Sequence, residues 1–439
     1  MNHVFPRNPK SLPPIAMRGE GVYLYDSTGK QYLDGSGGAA VSCLGHGDAD
    51  VTSAIKAQLD KLAFAHTGFL SSEPAESLAD RLVAHAPAGI DWVYFVSGGS
   101  EAVEAAMKLA RQYMIEIGQP ERTKFIARKQ SYHGNTLGAL GTGGNMWRRA
   151  PFDAVMVSAS HIDPCYAYRL REDGESEADY GLRAANALEA ELLRLGPENV
   201  IGFLAEPVVG ATLGAVPAAP GYFTRIREIC DHYGILLILD EVMCGMGRTG
   251  RLFACEADGV SPDIVTIAKG LGGGYQPIGA MLCQGKIYDA ICEGSGFFQH
   301  GHTYIGHPVA CAAADAVLKK LTEGGMVARA ARMGARLEAA LRNAFGQHPH
   351  IGDIRGRGMF QGLEIVKDRE SKDPFAPGLN VAARLKKAAF ANGLICYPMS
   401  GTIDGQRGDH ILLAPPFIIT DAQIDELVGK LATSLAEVL

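Results

Sequence analysis

The sequence predicts an α/β fold with a large domain, built on a mostly parallel sheet covered by helices, and a smaller α+β domain. Two observations carry this prediction. From about residue 70 to 320, short apolar runs typical of buried strands alternate with helical patterns. After about residue 325 the pattern changes to a long amphipathic helix followed by short strands. We expect residues 1–60 to join the small domain, 61–325 to form the large domain and 326–439 to form the rest of the small domain.

The elements follow from turn signals and apolar periodicity. Strands over residues 21–25 and 31–33 form a hairpin around the turn 26–29, which contains Ser, Thr and Gly. Strands of the large sheet are predicted at residues 92–96, 124–127, 201–205, 235–239, 264–267 and 278–283. The helix after Ser100 has one apolar face at helical spacing, which consists of Val103, Ala106, Met107, Ala110, Tyr113 and Met114.

The last part of the chain is predicted to contain two further helices. The apolar positions of the first are Val327, Ala331, Leu337, Leu341 and Phe345. Short strands are predicted at residues 362–366 and 411–413. The final helix begins with a capping box of Thr420 and Gln423, and its apolar face consists of Ile424, Leu427, Leu431 and Leu435.

Composition excludes several classes of protein. Of the 439 residues, 47% are hydrophobic and 20% charged, as in an ordinary globular protein. The formal net charge of -7, without a concentration of Lys and Arg, argues against a nucleic-acid partner. No apolar run has the length of a signal peptide core or a membrane span, so no membrane partner is expected. The nine scattered cysteines lack a C-x-x-C pair, which indicates reduced thiols in a cytoplasmic protein and no zinc site.

Three charged residues stand where apolar runs end. Residues 201–205 lead to Glu206, residues 235–239 lead to Asp240, and residues 264–268 lead to Lys269 and a glycine-rich turn. Ligands of open α/β sheets lie beyond the carboxyl ends of the strands. A desolvated lysine can form a Schiff base, and a carboxylate can keep a pyridinium nitrogen protonated. This combination indicates a site for pyridoxal 5'-phosphate, although a lone lysine is more often a solvated surface residue.

Two further segments suit the same cofactor. In Ser97-Gly-Gly-Ser100, which precedes a helix, Gly99 and Ser100 are candidate phosphate ligands, although such a turn is often only a capped helix start. In Tyr132-His133-Gly134 the tyrosine ring could stack on the pyridine, with Val242 on the opposite face, or could be a packing residue.

A cluster of histidines does not predict a metal. His300, His302 and His307 lack a third type of ligand at a familiar spacing. We expect no metal there, and we interpret Thr303 as a phosphate contact.

These segments together resemble the class III (ω-amino acid type) aminotransferases, which are fold-type I pyridoxal-phosphate enzymes. The resemblance covers nearly the whole chain. The motifs that carry it are Ser97-Gly-Gly-Ser-Glu-Ala102, Tyr132-His-Gly134, Glu206-Pro207, Asp240-Glu-Val242, Met246-Gly-Arg-Thr-Gly250, Ala268-Lys-Gly270 and Thr303-Tyr-Ile-Gly-His-Pro308.

The resemblance implies a role for each residue. Lys269 would hold the cofactor as a Schiff base and then shuttle a proton between the substrate carbon and the cofactor. Asp240 would pair with the pyridinium nitrogen, with Glu206 in support and His133 among the cofactor contacts. Thr303 of the partner subunit would reach the phosphate, so the site would form in a homodimer or a dimer of such dimers.

Departures from the family pattern bear on the substrate. Many relatives that use 2-oxoglutarate have Gln-Thr at the positions of Met243 and Cys244. The Met-Cys pair of this sequence looks more like the amine:pyruvate subgroup. Val209 replaces a second Gln, and residues 38–41 are small where a bulky aromatic is common. The amine:pyruvate enzymes grip a substrate carboxylate with a mobile arginine near the C-terminus. Arg407, in an insertion, is the candidate for this role or is only a surface charge.

The predicted function is transfer of an amino group from an amine or ω-amino acid to a small 2-oxo acid, pyruvate, by a ping-pong mechanism. One alternative keeps this reaction with 2-oxoglutarate as the acceptor. Another keeps the cofactor but catalyses racemisation, decarboxylation-dependent transamination or an aminomutase reaction. A non-catalytic homologue would not need Lys269, and a nicotinamide dehydrogenase would need a dinucleotide fingerprint that the early strands lack.

Overall fold

The computed structural model describes residues 3–439. Its strands, numbered in chain order, are β1 Ala16–Glu20, β2 Tyr23–Asp26, β3 Gln31–Asp34, β4 Ile90–Val96, β5 Lys124–Arg128, β6 Ser160–Ile162, β7 Val200–Ala205, β8 Val208–Val209, β9 Val216–Pro217, β10 Leu236–Asp240, β11 Ile264–Ile267, β12 Gly279–Gln284, β13 Ile351–Arg357, β14 Phe360–Ile365, β15 Leu394–Ile395, β16 Tyr397–Ser400 and β17 Asp409–Leu413.

The helices are α1 Gly37–Ala40, α2 Ala49–Lys61, α3 Glu73–His85, α4 Gly99–Glu116, α5 Leu137–Thr142, α6 Met146–Arg149, α7 Ala167–Leu170, α8 Glu177–Leu195, α9 Tyr222–Tyr233, α10 Gly285–Glu293, α11 Pro308–Thr322, α12 Met326–Phe345, α13 Val381–Ala391 and α14 Asp421–Ala436. Within residues 3–439, no helix combines the length and the apolar character that crossing a membrane requires.

The large sheet has seven strands in the order β4-β12-β11-β10-β7-β5-β6. β12 is antiparallel to both of its neighbours, whereas the remaining pairs are parallel, so the predicted mostly parallel sheet is confirmed. Side chains of β10 alternate between two buried clusters. Leu236 and Ile238 pack with α4 on one face, while Leu237 and Leu239 pack with α8 and α9 on the other. A sheet covered on both faces explains why its strands are apolar throughout.

The N-terminal hairpin forms as predicted and joins a second sheet. Asp26 stabilises its turn, because the Oδ1 atom accepts hydrogen bonds from the backbone N–H groups of Thr28 and Lys30 at 2.8 and 3.1 Å. The sheet has the order β1-β2-β3-β15, in which Leu33 pairs with Leu394. This pairing connects the N-terminal segment to the last quarter of the chain. The predicted domain boundaries themselves stay a prediction.

The C-terminal part contains a third sheet, β13-β14-β17-β16, covered by α12 and α13, and α14 packs on these two helices. The capping box of α14 is present, with reciprocal hydrogen bonds between Thr420 and Gln423. One detail of the predicted face of α12 is wrong. Ala330 is buried there and Ala331 is exposed, because the buried positions Ala330, Gly334, Leu337 and Leu341 follow the i, i+4, i+7, i+11 spacing of one helix face.

Candidate active site

The three charged residues at strand ends meet at one edge of the large sheet. Asp240 is the last residue of β10, Glu206 follows β7 and Lys269 lies two residues beyond β11. Because β11, β10 and β7 are adjacent and parallel, their carboxyl ends deliver all three side chains to one cavity of about 430 Å³. The predicted cofactor residues that line it are Gly99, Ser100, Tyr132, His133, Glu206, Asp240, Val242 and Lys269.

Lys269 presents its amine to this cavity from a backbone in the left-handed region, with φ of +48°. The Nζ atom donates a hydrogen bond to the carbonyl oxygen of Ala39 at 3.0 Å. Burial lowers the pKa of Lys269 to about 8, and the nearby charges of Asp240 and Glu206 oppose a larger shift. Most of the amine is still charged near pH 7, but its neutral fraction of about a tenth is far larger than that of an exposed lysine, which favours nucleophilic attack.

Asp240 is oriented by three hydrogen bonds, the longest of which the hydroxyl of Thr266 donates to the Oδ1 atom at 3.5 Å. The Oδ2 atom lies 2.8 Å from the Nδ1 atom of His133, and the Oδ1 atom accepts a hydrogen bond from the backbone N–H of Val242 at 3.0 Å. Both side chains are buried, and the Nε2 atom of His133 has no hydrogen-bond partner within residues 3–439. A buried carboxylate held this firmly can stabilise a protonated ring nitrogen in the cavity.

Glu206 has a different role from Asp240. Its two carboxylate oxygens accept hydrogen bonds from the backbone N–H groups of Tyr132 and Gly210, at 3.1 and 2.9 Å. Burial raises the pKa of Glu206, and the negative charge of Asp240 raises it further. Glu206 thus holds the segment that carries Tyr132, which agrees with the supporting role that the family resemblance implies.

The apolar walls of the cavity are set by close contacts around Gly99 and Tyr132. A Cβ atom on Gly99 would lie 2.7 Å from the Cγ1 atom of Val242, so only glycine lets α4 begin this close to that valine. The guanidinium group of Arg148 lies 4.7 Å from the ring centroid of Tyr132. Together these contacts limit where a planar ring can lie between Val242 and Tyr132.

The start of α4 forms an anion-binding cup at the other end of the cavity. This helix has 18 residues, and the N–H groups of its first turn have no partners within the helix. Gly134, with φ of +135°, approaches Ser100 so closely that a Cβ atom would lie 2.6 Å from the Oγ atom. The Ser100 Oγ atom also accepts a hydrogen bond from the backbone N–H of Asn135 at 3.1 Å. This cup suits a phosphate group.

The residues present therefore fit pyridoxal 5'-phosphate. A partly neutral amine, a fixed carboxylate, an imidazole with an unpartnered buried nitrogen, apolar walls and an anion cup all line the same cavity. The amine matches the aldehyde of the cofactor, the carboxylate its ring nitrogen, the walls its ring faces and the cup its phosphate, while the imidazole orients the carboxylate.

Two predicted residues lie outside this cavity. Thr303 is exposed in the segment between α10 and α11. Arg407 is exposed on the turn 401–408, where its Nε atom pairs with the Oδ2 atom of Asp404 at 2.7 Å. A phosphate contact by Thr303 and a substrate contact by Arg407 stay predictions.

The structure adds residues that the sequence did not single out. Arg128 is fully buried behind the site and donates a hydrogen bond to the carbonyl oxygen of Glu206. The guanidinium group of Arg148 stacks over the ring of Tyr132, and Gln130 anchors the residues that precede Tyr132. Because these contacts join positions far apart in the chain, no spacing or periodicity signals them.

Comparison with known proteins identifies the family. The model of the class-III aminotransferases matches residues 4–435, so the chain belongs to this family of pyridoxal-phosphate-dependent enzymes. The chain is 47% identical to an uncharacterised aminotransferase of Schizosaccharomyces pombe, over 99% of this chain and 95% of that protein. It is 37% identical to gamma aminobutyrate transaminase 3 of Solanum lycopersicum, over 97% of this chain and 81% of that protein.

A solved structure gives the same result for the fold. The thermostable (S)-enantioselective omega-transaminase from Thermomicrobium roseum superposes with a TM-score of 0.93 and 37% identity, covering 100% of this chain and 96% of that one. The protein is thus an aminotransferase with the fold of the class III transaminases, as the sequence motifs predicted.

Proposed function

We propose that the protein transfers the amino group of an amine or ω-amino acid to pyruvate by a ping-pong mechanism. The observation that carries this proposal is the wall of the cavity near Val242. Met243, Val41, Pro277 and Ile278 line the cavity, and within residues 3–439 no arginine does. An acceptor with two carboxylates, such as 2-oxoglutarate, would need two fixed cations, whereas pyruvate has a single carboxylate, for which Arg407 is the proposed partner.

The relatives support the donor class. A gamma aminobutyrate transaminase and an omega-transaminase, both 37% identical to this chain, are named for ω-amino acid and ω-transamination chemistry. A donor of this kind carries its amino group on a carbon remote from any carboxylate. The small residues around Val41 leave room on that side of the cavity.

Each residue of the site has a definite part in this reaction. The cofactor, when bound, supplies an aldehyde that takes up the amino group and a ring that accepts electrons from the substrate carbon. Lys269 would move a proton from the donor carbon to the cofactor in the first half-reaction and from the cofactor to the acceptor carbon in the second, for which a pKa near 8 is suitable. Asp240, oriented by His133, stabilises positive charge on the ring nitrogen. Tyr132 and Val242 confine the ring.

Spectroscopic titration tests the acceptor. The purified holoenzyme is titrated in separate experiments with alanine, glutamate and β-alanine, while the visible cofactor band is followed. We expect alanine and β-alanine, but not glutamate, to bleach the band, and pyruvate to restore it without a second substrate. This last result is the signature of a ping-pong mechanism. Bleaching by glutamate would identify 2-oxoglutarate as the acceptor. Formation of isomerised substrate or of carbon dioxide, without amino transfer, would show that the enzyme catalyses a different reaction.

We propose further that the enzyme is a cytoplasmic homodimer in which Thr303 of the partner subunit completes the phosphate site. Nine unpaired cysteines, eight of them buried, suit a reducing compartment. The exposed position of Thr303 away from its own cavity suits a contact with a second copy. Light scattering should give twice the mass of the chain, and Thr303→Ala should weaken cofactor binding; a monomer with full activity would contradict this arrangement.

A further inference from the structure

Gln130 lies just before the segment that carries Tyr132 and His133 into the cavity. It lies two residues before Tyr132 and three before His133, is buried, and has φ of +57°. This left-handed conformation costs about 1–3 kcal/mol for a residue other than glycine and persists only where surrounding contacts enforce it. The sequence alone offers no reason for a glutamine rather than a glycine at this position.

All four polar groups of Gln130 are engaged, and they reach three separate segments of the chain. The side-chain Nε2 atom donates to the carbonyl oxygen of Gly401 at 2.6 Å, and the Oε1 atom accepts from the Nδ2 atom of Asn145 at 3.0 Å. The backbone N–H donates to the carbonyl oxygen of Gly144 at 3.1 Å, and the backbone oxygen accepts from the hydroxyl of Thr212.

The segment that Gln130 contacts through Gly401 is a rigid turn, residues 401–408. The N–H of Gly401 donates to the oxygen of Gly408 at 2.7 Å, and that of Gly405 donates to the oxygen of Gly401 at 2.8 Å. Asp404 accepts hydrogen bonds from the backbone N–H groups of Gln406 and Arg407, at 2.9 and 2.8 Å. These hydrogen bonds hold the turn together, and the side-chain amide of Gln130 connects it to residues 130–134, which carry Tyr132 and His133 and are called the cofactor segment.

The downstream end of the cofactor segment is held independently. Glu206 accepts a hydrogen bond from the backbone of Tyr132, and Asp240 holds the ring of His133. The upstream end is held by Gln130 together with Ser131, whose backbone oxygen accepts a hydrogen bond from the N–H of Gly144 at 3.1 Å. Loss of the Gln130 side-chain contacts would loosen this end and let the tyrosine ring and the imidazole shift relative to the cavity, because only the contacts from Glu206, Asp240 and Arg148 would then orient them.

We propose that Gln130 is a positioning residue for the cofactor. Its side-chain amide clamps the turn 401–408 of the C-terminal part onto residues 130–134, and this clamp sets the orientation of Tyr132 and His133 towards the cavity. The proposal concerns the aminotransferase site itself and does not depend on which donor or acceptor the enzyme uses.

The test compares variants that separate the side chain from the backbone conformation. Gln130→Gly keeps the left-handed backbone without strain and removes the clamp. Gln130→Glu keeps the size of the side chain and can still accept from Asn145, but it loses the donor to Gly401. The matched control is Gln361→Ala, because Gln361 is also buried and donates to a glycine oxygen, that of Gly358 at 2.9 Å, but is not part of the cofactor segment.

The measurements are the dissociation constant of pyridoxal 5'-phosphate, the visible circular dichroism of the saturated protein and the thermal midpoint. Both Gln130 variants should bind the cofactor about tenfold more weakly, as expected for one buried hydrogen bond of about 1.4 kcal/mol, and should show reduced dichroism. Gln361→Ala should lower the thermal midpoint and leave cofactor affinity within twofold. Wild-type affinity and dichroism in Gln130→Gly or Gln130→Glu would overturn the proposal.

Discussion

Replacing Lys269 with methionine removes a buried ammonium group, and the apoprotein should become more stable as a result. Burial lowers the pKa of this lysine from 10.5 to about 8, so the folded chain binds the proton less tightly than the unfolded chain does. Because one pKa unit corresponds to about 1.4 kcal/mol, the charged lysine destabilises the apoprotein by roughly 3 kcal/mol at pH 7.

The effect should depend on pH in a defined direction. Below about pH 8 the lysine is charged in both states, so the full penalty is present. Between about pH 8 and 10.5 the unfolded state binds more protons, so the stability of the wild-type apoprotein rises with pH and the advantage of Lys269→Met shrinks. At pH 9.5 the advantage should be roughly half of its value at pH 7.

Thermal unfolding of the two apoproteins at pH 7 and pH 9.5 measures this difference. With an unfolding entropy of about 2.1 cal/mol/K per residue, the melting temperature of Lys269→Met should exceed that of the wild type by about 3 °C at pH 7. The control is Lys387→Met, which replaces an exposed lysine and should change little. Equal melting temperatures, or an advantage that does not depend on pH, would refute the reasoning that burial sets the pKa.

Further predictions concern the other side chains of the site. Asp240→Asn keeps the shape of the side chain but loses its charge. The value of kcat/KM should fall at least about thirtyfold, because truncating one member of a buried charged pair costs about 2–5 kcal/mol. A change of only a few-fold in steady-state assays would contradict the role of Asp240 as the partner of the ring nitrogen. Gly134→Ala would crowd Ser100, and equilibrium dialysis should show about tenfold weaker cofactor binding, with unchanged affinity as the contrary result. Arg407→Leu should raise the KM of pyruvate about tenfold but leave that of an uncharged amine unchanged, and equal effects on both would exclude a carboxylate contact. Cofactor capture by the apoprotein, followed by stopped-flow absorbance, should accelerate about tenfold per pH unit up to about pH 8 and then level off; a rate independent of pH would show that deprotonation of Lys269 does not limit capture.

The sheet and the central part of the site could be predicted because local sequence encodes them. A strand buried on both faces is apolar along its length, so the charged residue that ends it stands out, as Asp240 does at the end of β10. The topology of parallel strands then brings such ends together. Short elements escaped this reasoning. β6 has only three residues, too few for an apolar run to be recognised.

The contacts that orient the site could not be predicted because they join distant positions. Gln130 reaches Gly401 across 271 residues, and Arg128 reaches Glu206 across 78. Nothing in the local pattern around a buried arginine or glutamine states which carbonyl it will contact. The position of Arg407 could not be predicted for a different reason: its partner Asp404 is only three residues away, but their pairing depends on the conformation of the turn.

The proposed reaction depends on Lys269 as the residue that holds the cofactor. Borohydride reduction of the protein loaded with pyridoxal 5'-phosphate fixes the cofactor to its lysine, and peptide mass mapping then locates it. We expect one adduct per chain, on the peptide that contains Lys269, and none in Lys269→Met. An adduct on a different lysine, or an undiminished adduct in the variant, would contradict this role of Lys269.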